Sequence, residues 1–153
     1  MSKSFNDLLS KVSECSVKKV AVAVAQDSAV LEAVAAAKER NIADAVLVGD
    51  ADKIKEVAAS INMDVSGFEI IDEKDDYTAA LKAVELVHTG KANMYMKGLI
   101  DTKSFLKSVL DKEVGLRTGK TLSHVCVFEV EGVDHLLFLS DVAFLTYPSL
   151  EEK

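Results

Sequence analysis

The residue types that could bind an anion are concentrated between positions 97 and 120. This segment holds six Lys or Arg against three Asp or Glu, a net charge of +3 in a chain whose net charge is −7. Within it, Lys97 and Gly98 end a short apolar run, and Thr102 stands where a helix should begin. A glycine at such a turn lets backbone approach a ligand, while the N–H groups and dipole of a helix N-terminus attract negative charge.

Arg117 adds a second cationic group suited to phosphate. It lies in the run VGLRTGK (114–120), between two glycines, and a guanidinium can contact two phosphate oxygens at once. Lys97, Gly98, Thr102 and Arg117 therefore form a candidate phosphate-binding site. The alternative is an ordinary solvated helix face, which would carry the same charges without a ligand.

Motifs of other chemistries are absent from the sequence. It has no GxGxxG, Walker, GxSxG or HExxH pattern, and its three histidines are too scattered to predict a metal site. Cys15 and Cys126 lack metal or redox spacing, so we expect buried thiols in a reducing cytoplasm. The balance of 18 Lys or Arg to 25 Asp or Glu disfavours a nucleic-acid partner.

Length and hydropathy predict one soluble globular domain. The chain has 153 residues, of which 49% are hydrophobic and 28% are charged. No apolar run reaches the roughly 18 residues of a membrane helix, and the N-terminus lacks the apolar region of a signal peptide. We therefore expect a cytoplasmic protein with no membrane partner.

The hydrophobic pattern alternates between strand-like and helix-like periods. Val-rich runs at 18–25 and 43–50 predict two strands that are buried on both faces, adjacent and central in a parallel sheet. Short strands are predicted at 68–72 and 93–98, and helices over 5–12 and from near Asp27, Asp50, Asp75 and Asp101. The apolar side of the last helix carries Phe105, Leu106, Val109 and Leu110.

After residue 120 the pattern changes to an antiparallel hairpin of two strands, 123–130 and 135–141. The predicted fold class is thus a three-layer α/β/α arrangement with a mostly parallel sheet and a C-terminal hairpin. Ser149 and Glu152 have the spacing of a capping box. We therefore expect residues 1–141 to form one α/β domain and residues 142–153 to begin a connection to a second domain, the alternative being a frayed tail.

Six segments taken together resemble the phosphate acetyl/butyryl transferase family, and in particular its phosphate butyryltransferase branch. Their order and spacing are more specific than any one of them. They are VAVAVAQDSAVLEAV (20–34), ADAVLVGD (43–50), AALKAVELV (79–87), MKGLIDTKSFLKSVL (96–110), GLRTGKTLSHVCVFEV (115–130) and LLFLSDVAF (136–144).

The resemblance implies a fold similar to that of the isocitrate and isopropylmalate dehydrogenases, in a homo-oligomeric enzyme with two α/β domains about a cleft. It implies a transfer of a butyryl or branched short-chain acyl group: acyl-CoA and phosphate give acyl phosphate and CoA. Coenzyme A is then a substrate, and no cofactor is needed. The family's Ser-Arg phosphate site and its proposed base lie in the second domain, so the resemblance predicts that this chain alone has little activity.

The resemblance also assigns positions. Lys97, Gly98, Thr102 and Arg117 match residues that line the cleft towards CoA and phosphate, and Ser123 matches a serine at a strand start near the cleft. Asp141-Val142-Ala143 matches an element at the hinge between domains, although Phe144 follows where the family usually has Asn soon after the Ala.

The general base is not identified by the sequence. His124 and Asp141 are the candidates, and for each a structural or orienting role is the alternative. Two other functions also stay open. The chain could be a half-domain that binds CoA or another phosphate ligand without turnover, or a non-catalytic α/β regulatory domain, since a fold does not fix a function.

Overall fold

A computed structural model of the chain describes residues 3–141, 144, 147, 149 and 150. The chain divides into two units. The sheet unit comprises Ser16–Arg117, and the hairpin unit comprises Met1–Cys15 together with Thr118–Lys153. Within the described residues, no helix has the length and apolar character needed to cross a membrane.

Four parallel strands form the centre of the sheet unit. They are β1 (Lys18–Ala23), β2 (Ala43–Gly49), β3 (Glu69–Asp72) and β4 (Met94–Lys97). Their spatial order is β3-β2-β1-β4, so the chain moves outward from β1 to β3 and then returns to the other side of β1. The prediction that the two Val-rich strands are adjacent and central is confirmed, because β1 pairs with β2 throughout its length.

A helix follows each strand of the sheet. The helices are α1 (Phe5–Ser13) in the hairpin unit, then α2 (Ser28–Glu39), α3 (Ala51–Ser60), α4 (Asp76–His88) and α5 (Thr102–Val109) in the sheet unit. Leu31 of α2 and Ile54 of α3 pack on one face of β1 and β2. Ala80 of α4 packs on the other face, where Phe105 of α5 joins it. The predicted three-layer α/β/α arrangement is therefore confirmed.

An aspartate caps each of the four helices of the sheet unit. The carboxylate oxygens of Asp27, Asp50, Asp75 and Asp101 accept backbone N–H groups of the first helical turn at 2.8–3.2 Å. Such caps satisfy N–H groups that have no partner within the helix. Each strand of the sheet is thus followed by a short connection, and the aspartate at the end of that connection caps the next helix.

A hydrogen-bonded pair of hydroxyls, from the half-buried Tyr95 and the buried Ser108, fixes α5 against β4. The Tyr95 hydroxyl lies 2.8 Å from Ser108 Oγ, and Ser108 donates to the carbonyl oxygen of Phe105 at 2.6 Å. The ring of Tyr95 stacks on that of Phe105 with a centroid distance of 4.5 Å. Burial raises the pKa of Tyr95 to about 12, so its hydroxyl keeps its proton and stays a donor.

The hairpin unit contains a separate two-stranded antiparallel sheet. Its strands are β5 (Val125–Phe128) and β6 (Leu137–Ser140), paired so that Val125 faces Ser140 and Phe128 faces Leu137. The predicted hairpin is confirmed, although both strands are shorter than the apolar runs that indicated them. Several of its large side chains are exposed, Phe138 by 65%.

Two sequence expectations were wrong in detail. Leu110 is 49% exposed because α5 ends at Val109 and Leu110 forms its C-cap, while the fully buried side chain of α5 is Ser108. Cys15 is exposed because it follows the end of α1; Cys126 is half-buried, and both are free thiols. The expected capping box depends on Glu152, which lies outside the described residues.

Substitution of Gly98 tests how closely the backbone after β4 approaches the end of β1. A Cβ at this position would overlap the carbonyl oxygens of Ala23 and Val24, which are backbone atoms with little room to move. We expect Gly98→Ala to lower the free energy of unfolding by about 1–3 kcal/mol, as other overpacked sites do. Urea unfolding followed by circular dichroism measures the change.

Gly67→Ala is the matched control for that variant. A Cβ at Gly67 would meet nothing closer than Lys38 Nζ at 3.8 Å. The control should therefore unfold at nearly the same urea concentration as the original chain. Equal midpoints for both variants would contradict the close approach of Gly98 to β1.

Candidate functional site

The strand order β3-β2-β1-β4 reverses direction next to β1, and open α/β sheets form a ligand-binding crevice at the carboxyl edge of such a switch point. The turns that follow β1 and β4 lie on either side of it, since β1 and β4 are parallel neighbours. Ligands of open α/β sheets bind at such a point, because the adjoining connections leave in opposite directions. Of the sequence-predicted residues, Lys97 ends β4, Gly98 lies in the turn that follows, and Thr102 begins α5 directly after that turn.

The turn after β4 is held directly on the end of β1. The N–H of Gly98 donates to the carbonyl oxygen of Ala23 at 2.9 Å, and the N–H of Leu99 donates to that of Val24 at 2.8 Å. Because Gly98 has no side chain, the two backbones come close enough for these bonds. This turn therefore has a defined position on the sheet.

Lys97 supplies the positive charge of this turn. Its Nζ lies 3.4 Å from the carbonyl oxygen of Gly98, and no carboxylate of the described residues forms an ion pair with it. Other lysines near this edge are paired: Lys53 with Asp50 at 3.5 Å and Lys82 with Glu73 at 2.7 Å. The ammonium group of Lys97 is exposed and its charge remains available to an anion.

The N-terminus of α5 is less open to anions than the sequence indicated. Asp101 accepts the N–H of Ser104 at 2.9 Å. Hydrogen bonds from the side chain and backbone of Ser104 hold the pKa of Asp101 below its usual value, so the carboxylate is ionised. Thr102, the first residue of the helix, is exposed beside this negative charge. Anion attraction here therefore rests on Lys97 more than on the helix dipole.

Arg117 does not lie in the turn with Lys97. The N–H of Leu116 donates to the carbonyl oxygen of Val109 at 2.8 Å, which brings the chain to the far end of α5. The ends of this helix are about 10 Å apart at 1.5 Å per residue. Arg117 is exposed there, so the structure separates it from the other three residues of the candidate phosphate site.

The loop that leads to Arg117 is held by several hydrogen bonds. Asp111 accepts the N–H groups of Glu113 at 2.8 Å and Val114 at 3.0 Å. The imidazole of His88 donates through Nδ1 to the carbonyl oxygen of Gly115 at 2.9 Å. Elsewhere in the positively charged segment, Lys107 lies over the ring of Tyr77 at 4.3 Å. Much of this segment therefore serves local structure.

The remaining sequence candidates belong to the hairpin unit. Asp141 accepts the backbone N–H of His124 at 3.0 Å through one oxygen and that of Phe144 at 3.0 Å through the other. Both contacts join backbone to carboxylate, which is the arrangement of an orienting residue. Ser123 and His124 are the two residues directly before β5, and Ser123 is exposed.

The ring of His124 lies between a thiol and an aromatic ring. Cys126 Sγ is 3.6 Å from its Nδ1 and 3.8 Å from its Nε2, and Phe144 meets it edge to face at 5.9 Å. His124 thus has a nitrogen that could accept a proton, in a partly apolar environment. No group of three or more potential metal ligands occurs in the part of the chain that is described.

Sequence reasoning missed the turn after β1. Val24 has a φ of 57°, an unusual value for a β-branched residue, and Gln26 has a buried carboxamide oxygen without a hydrogen-bond partner among the described residues. The available signal was position alone, because this turn also follows a buried parallel strand.

Comparison with known proteins gives a consistent result. A family model described as "Phosphate acetyl/butaryl transferase" matches residues 4–80 and 75–153. Phosphate butyryltransferase of Clostridium acetobutylicum is 65% identical over 153 residues, which is 100% of this chain and 51% of the relative. A protein of Bacillus subtilis described as a probable phosphate butyryltransferase is 40% identical over 146 residues, 95% of this chain and 48% of the relative.

A solved structure supports the same grouping. The branched-chain phosphotransacylase of Enterococcus faecalis V583 superposes with a TM-score of 0.70 at 26% identity, covering 87% of this chain and 46% of that chain. The chain thus spans about half the length of the curated relatives that it matches. The matched ranges together span residues 4–153, which is all of the sheet unit and all but the first three residues of the hairpin unit, and the chain belongs to the phosphate acetyl/butyryl transferase family.

Proposed function

We propose that this chain takes part in the conversion of acyl-CoA and phosphate to acyl phosphate and CoA, with a butyryl or branched short-chain acyl group. The observation that carries this proposal is the 65% identity over all 153 residues to a phosphate butyryltransferase. Coenzyme A acts as a substrate in this reaction, and the chain needs no resident cofactor.

The chemistry makes modest demands on covalent catalysis. In one direction the CoA thiolate attacks the acyl carbonyl of acyl phosphate, and phosphate leaves as the thioester forms. The protein has to hold two anionic reactants together, raise the thiolate fraction and stabilise the developing oxyanion. We assign the anion-binding share of the sheet unit to Lys97, Gly98, Thr102 and Arg117. Ser123, in the hairpin unit, stays a separately proposed CoA or phosphate contact.

For proton transfer, His124 is the better candidate within this chain. Its imidazole can accept a proton, whereas both carboxylate oxygens of Asp141 already accept backbone N–H groups. We therefore propose that Asp141 orients the segment containing His124. The catalytic base of the complete reaction stays open between His124 and groups outside this chain.

The half-length match supports a second candidate function, a CoA- and phosphate-binding half-domain that is catalytically incomplete. We propose residues 1–141 as the α/β domain and residues 142–153 as a connection to a second domain. We also propose a cytoplasmic homo-oligomer, which the two free thiols and the exposed apolar side chains of the hairpin support.

Removal of either proposed cationic contact should weaken CoA binding. A charge-assisted hydrogen bond contributes about 1.5–3 kcal/mol, so we expect Lys97→Ala and Arg117→Ala each to lose binding of that order. Because the two residues lie at opposite ends of α5, their effects should add in the double variant. Isothermal titration calorimetry with CoA measures each affinity.

Lys103→Ala is the control for charge alone. Lys103 is exposed and lies on α5, in the same positively charged segment. Its removal should leave the affinity nearly unchanged. An equal loss from all three variants would indicate a diffuse field in place of specific contacts, and unchanged affinity of Arg117→Ala would remove Arg117 from the site.

The Asp101 carboxylate should oppose anion binding at the turn after β4. Asp101→Asn removes its negative charge and keeps a side chain that caps helices as well as aspartate does. We expect CoA and phosphate to bind roughly two- to fivefold more tightly, as for one charge at a helix N-terminus. Unaltered phosphate affinity, measured by calorimetry at low salt, would argue against an anion at this turn.

The 153-residue chain alone should have little or no phosphotransacylase activity. The anion contacts proposed above do not include a general base, and the matched relatives are about twice as long. Thiol release from butyryl-CoA and phosphate should be far slower than with the Clostridium acetobutylicum relative assayed beside it. Comparable rates would show that His124 or another residue of this chain suffices as the base.

A further inference from the structure

The carboxamide of Gln26 has an unmet hydrogen-bonding requirement. Its Oε1 is shielded from solvent and has no partner among the described residues. An acceptor removed from water without a donor costs free energy, so such groups are rare in native structures. Gln26 as a whole is only half-buried, which leaves the end of its side chain a route to the surface.

The oxygen rests over Gly49, at the carboxyl end of β2. A Cβ on Gly49 would overlap Gln26 Oε1, so the side chain occupies space that the missing side chain of Gly49 leaves open. Gln26 itself follows β1. It therefore lies at the same edge of the sheet as the turn after β4.

The backbone that precedes Gln26 is held in an unfavourable conformation. Val24 is fully buried with a φ of 57°, and its carbonyl oxygen accepts the N–H of Leu99 at 2.8 Å. A β-branched residue adopts this region only when its surroundings impose it, and such residues concentrate at functional sites. Two independent features thus single out the turn after β1.

We propose that Gln26 is a CoA-binding residue whose side-chain oxygen accepts a hydrogen bond from an N–H or O–H group of coenzyme A. The last torsion of a glutamine side chain is soft, so a small rotation turns Oε1 from Gly49 towards a ligand in the crevice. Binding then supplies the donor that the resting position lacks.

The polarity of the group selects among the substrates. An oxygen acceptor needs a donor, and coenzyme A offers amide N–H groups, hydroxyls and an adenine amine. Phosphate and acyl phosphate at neutral pH present mainly acceptor oxygens, and an acyl chain presents no polar hydrogen. Gln26 therefore recognises CoA and leaves phosphate to Lys97. This inference rests on the proposed function.

The chain offers a direct test because Gln26 is its only glutamine. Labelling glutamine with ¹⁵N at the side-chain amide gives a single pair of NMR signals that needs no assignment. We expect CoA to shift this pair in a saturable way, with the same Kd as calorimetry, and inorganic phosphate alone to leave it in place. A second sample labelled at the asparagine side chains provides the control. The signals of Asn93, identified by their loss in Asn93→Ser, should not move, because its oxygen already accepts the N–H of Lys19 at 2.9 Å.

Substitution supplies the second measurement. Gln26→Met keeps the length of the side chain and removes the acceptor, and we expect its CoA affinity to fall roughly three- to tenfold with phosphate affinity unchanged.

If CoA binds while the Gln26 signals stay in place and Gln26→Met binds equally well, the inference is overturned and the proposed function stands. If CoA fails to bind the original chain at all, both are overturned. A shift caused by phosphate and not by CoA would mean that the amide acts as a donor, which also contradicts the inference.

Discussion

The close contact between β4 and β1 at Gly98 is the constraint on which the candidate site depends. Two backbone hydrogen bonds join the turn after β4 to Ala23 and Val24, and they can form only because position 98 has no Cβ. The same contact accompanies the left-handed conformation of Val24, from which the chain leaves towards Gln26. One backbone junction therefore sets the position of both turns that border the crevice.

The electrostatics of this edge reflect a conflict between folding and anion binding. Each helix of the sheet unit begins with an aspartate, because a carboxylate satisfies free N–H groups well. The same N–H groups would otherwise attract phosphate. The caps thus stabilise the helices while adding negative charge where an anionic substrate would bind. Lys53 and Lys82 are paired with carboxylates, whereas Lys97 forms no ion pair with any residue that the structure describes. Its positive charge therefore offsets part of the negative charge of the caps.

The sequence predicted the elements of the fold well, because the signals were local. Val-rich runs identified β1 and β2, and aspartates at the expected spacing identified where α2 to α5 begin. The burial of Ser108 in place of Leu110 was not predictable from apolar spacing, since it depends on where α5 ends and on the Tyr95 hydroxyl across the interface.

The candidate site was predictable only in part, for a related reason. Lys97, Gly98 and Thr102 are close in sequence and remain together, whereas Arg117 was grouped with them by charge and lies beyond the other end of α5. Gln26 carried no motif, and its unmet acceptor exists only through the packing of its side chain on Gly49. Contacts between different strands decide such features.

A division of labour between the two turns follows from their chemistry. A lysine attracts any phosphate, whether free, in an acyl phosphate or in CoA, so Lys97 alone cannot distinguish the substrates. A neutral acceptor contributes little to the attraction of anions. It does discriminate between ligands with and without a suitably placed hydrogen-bond donor, because a ligand without the donor leaves the acceptor unpaired. Attraction and discrimination are then separate properties of separate residues. Both nevertheless depend on the same backbone contact between β1 and β4.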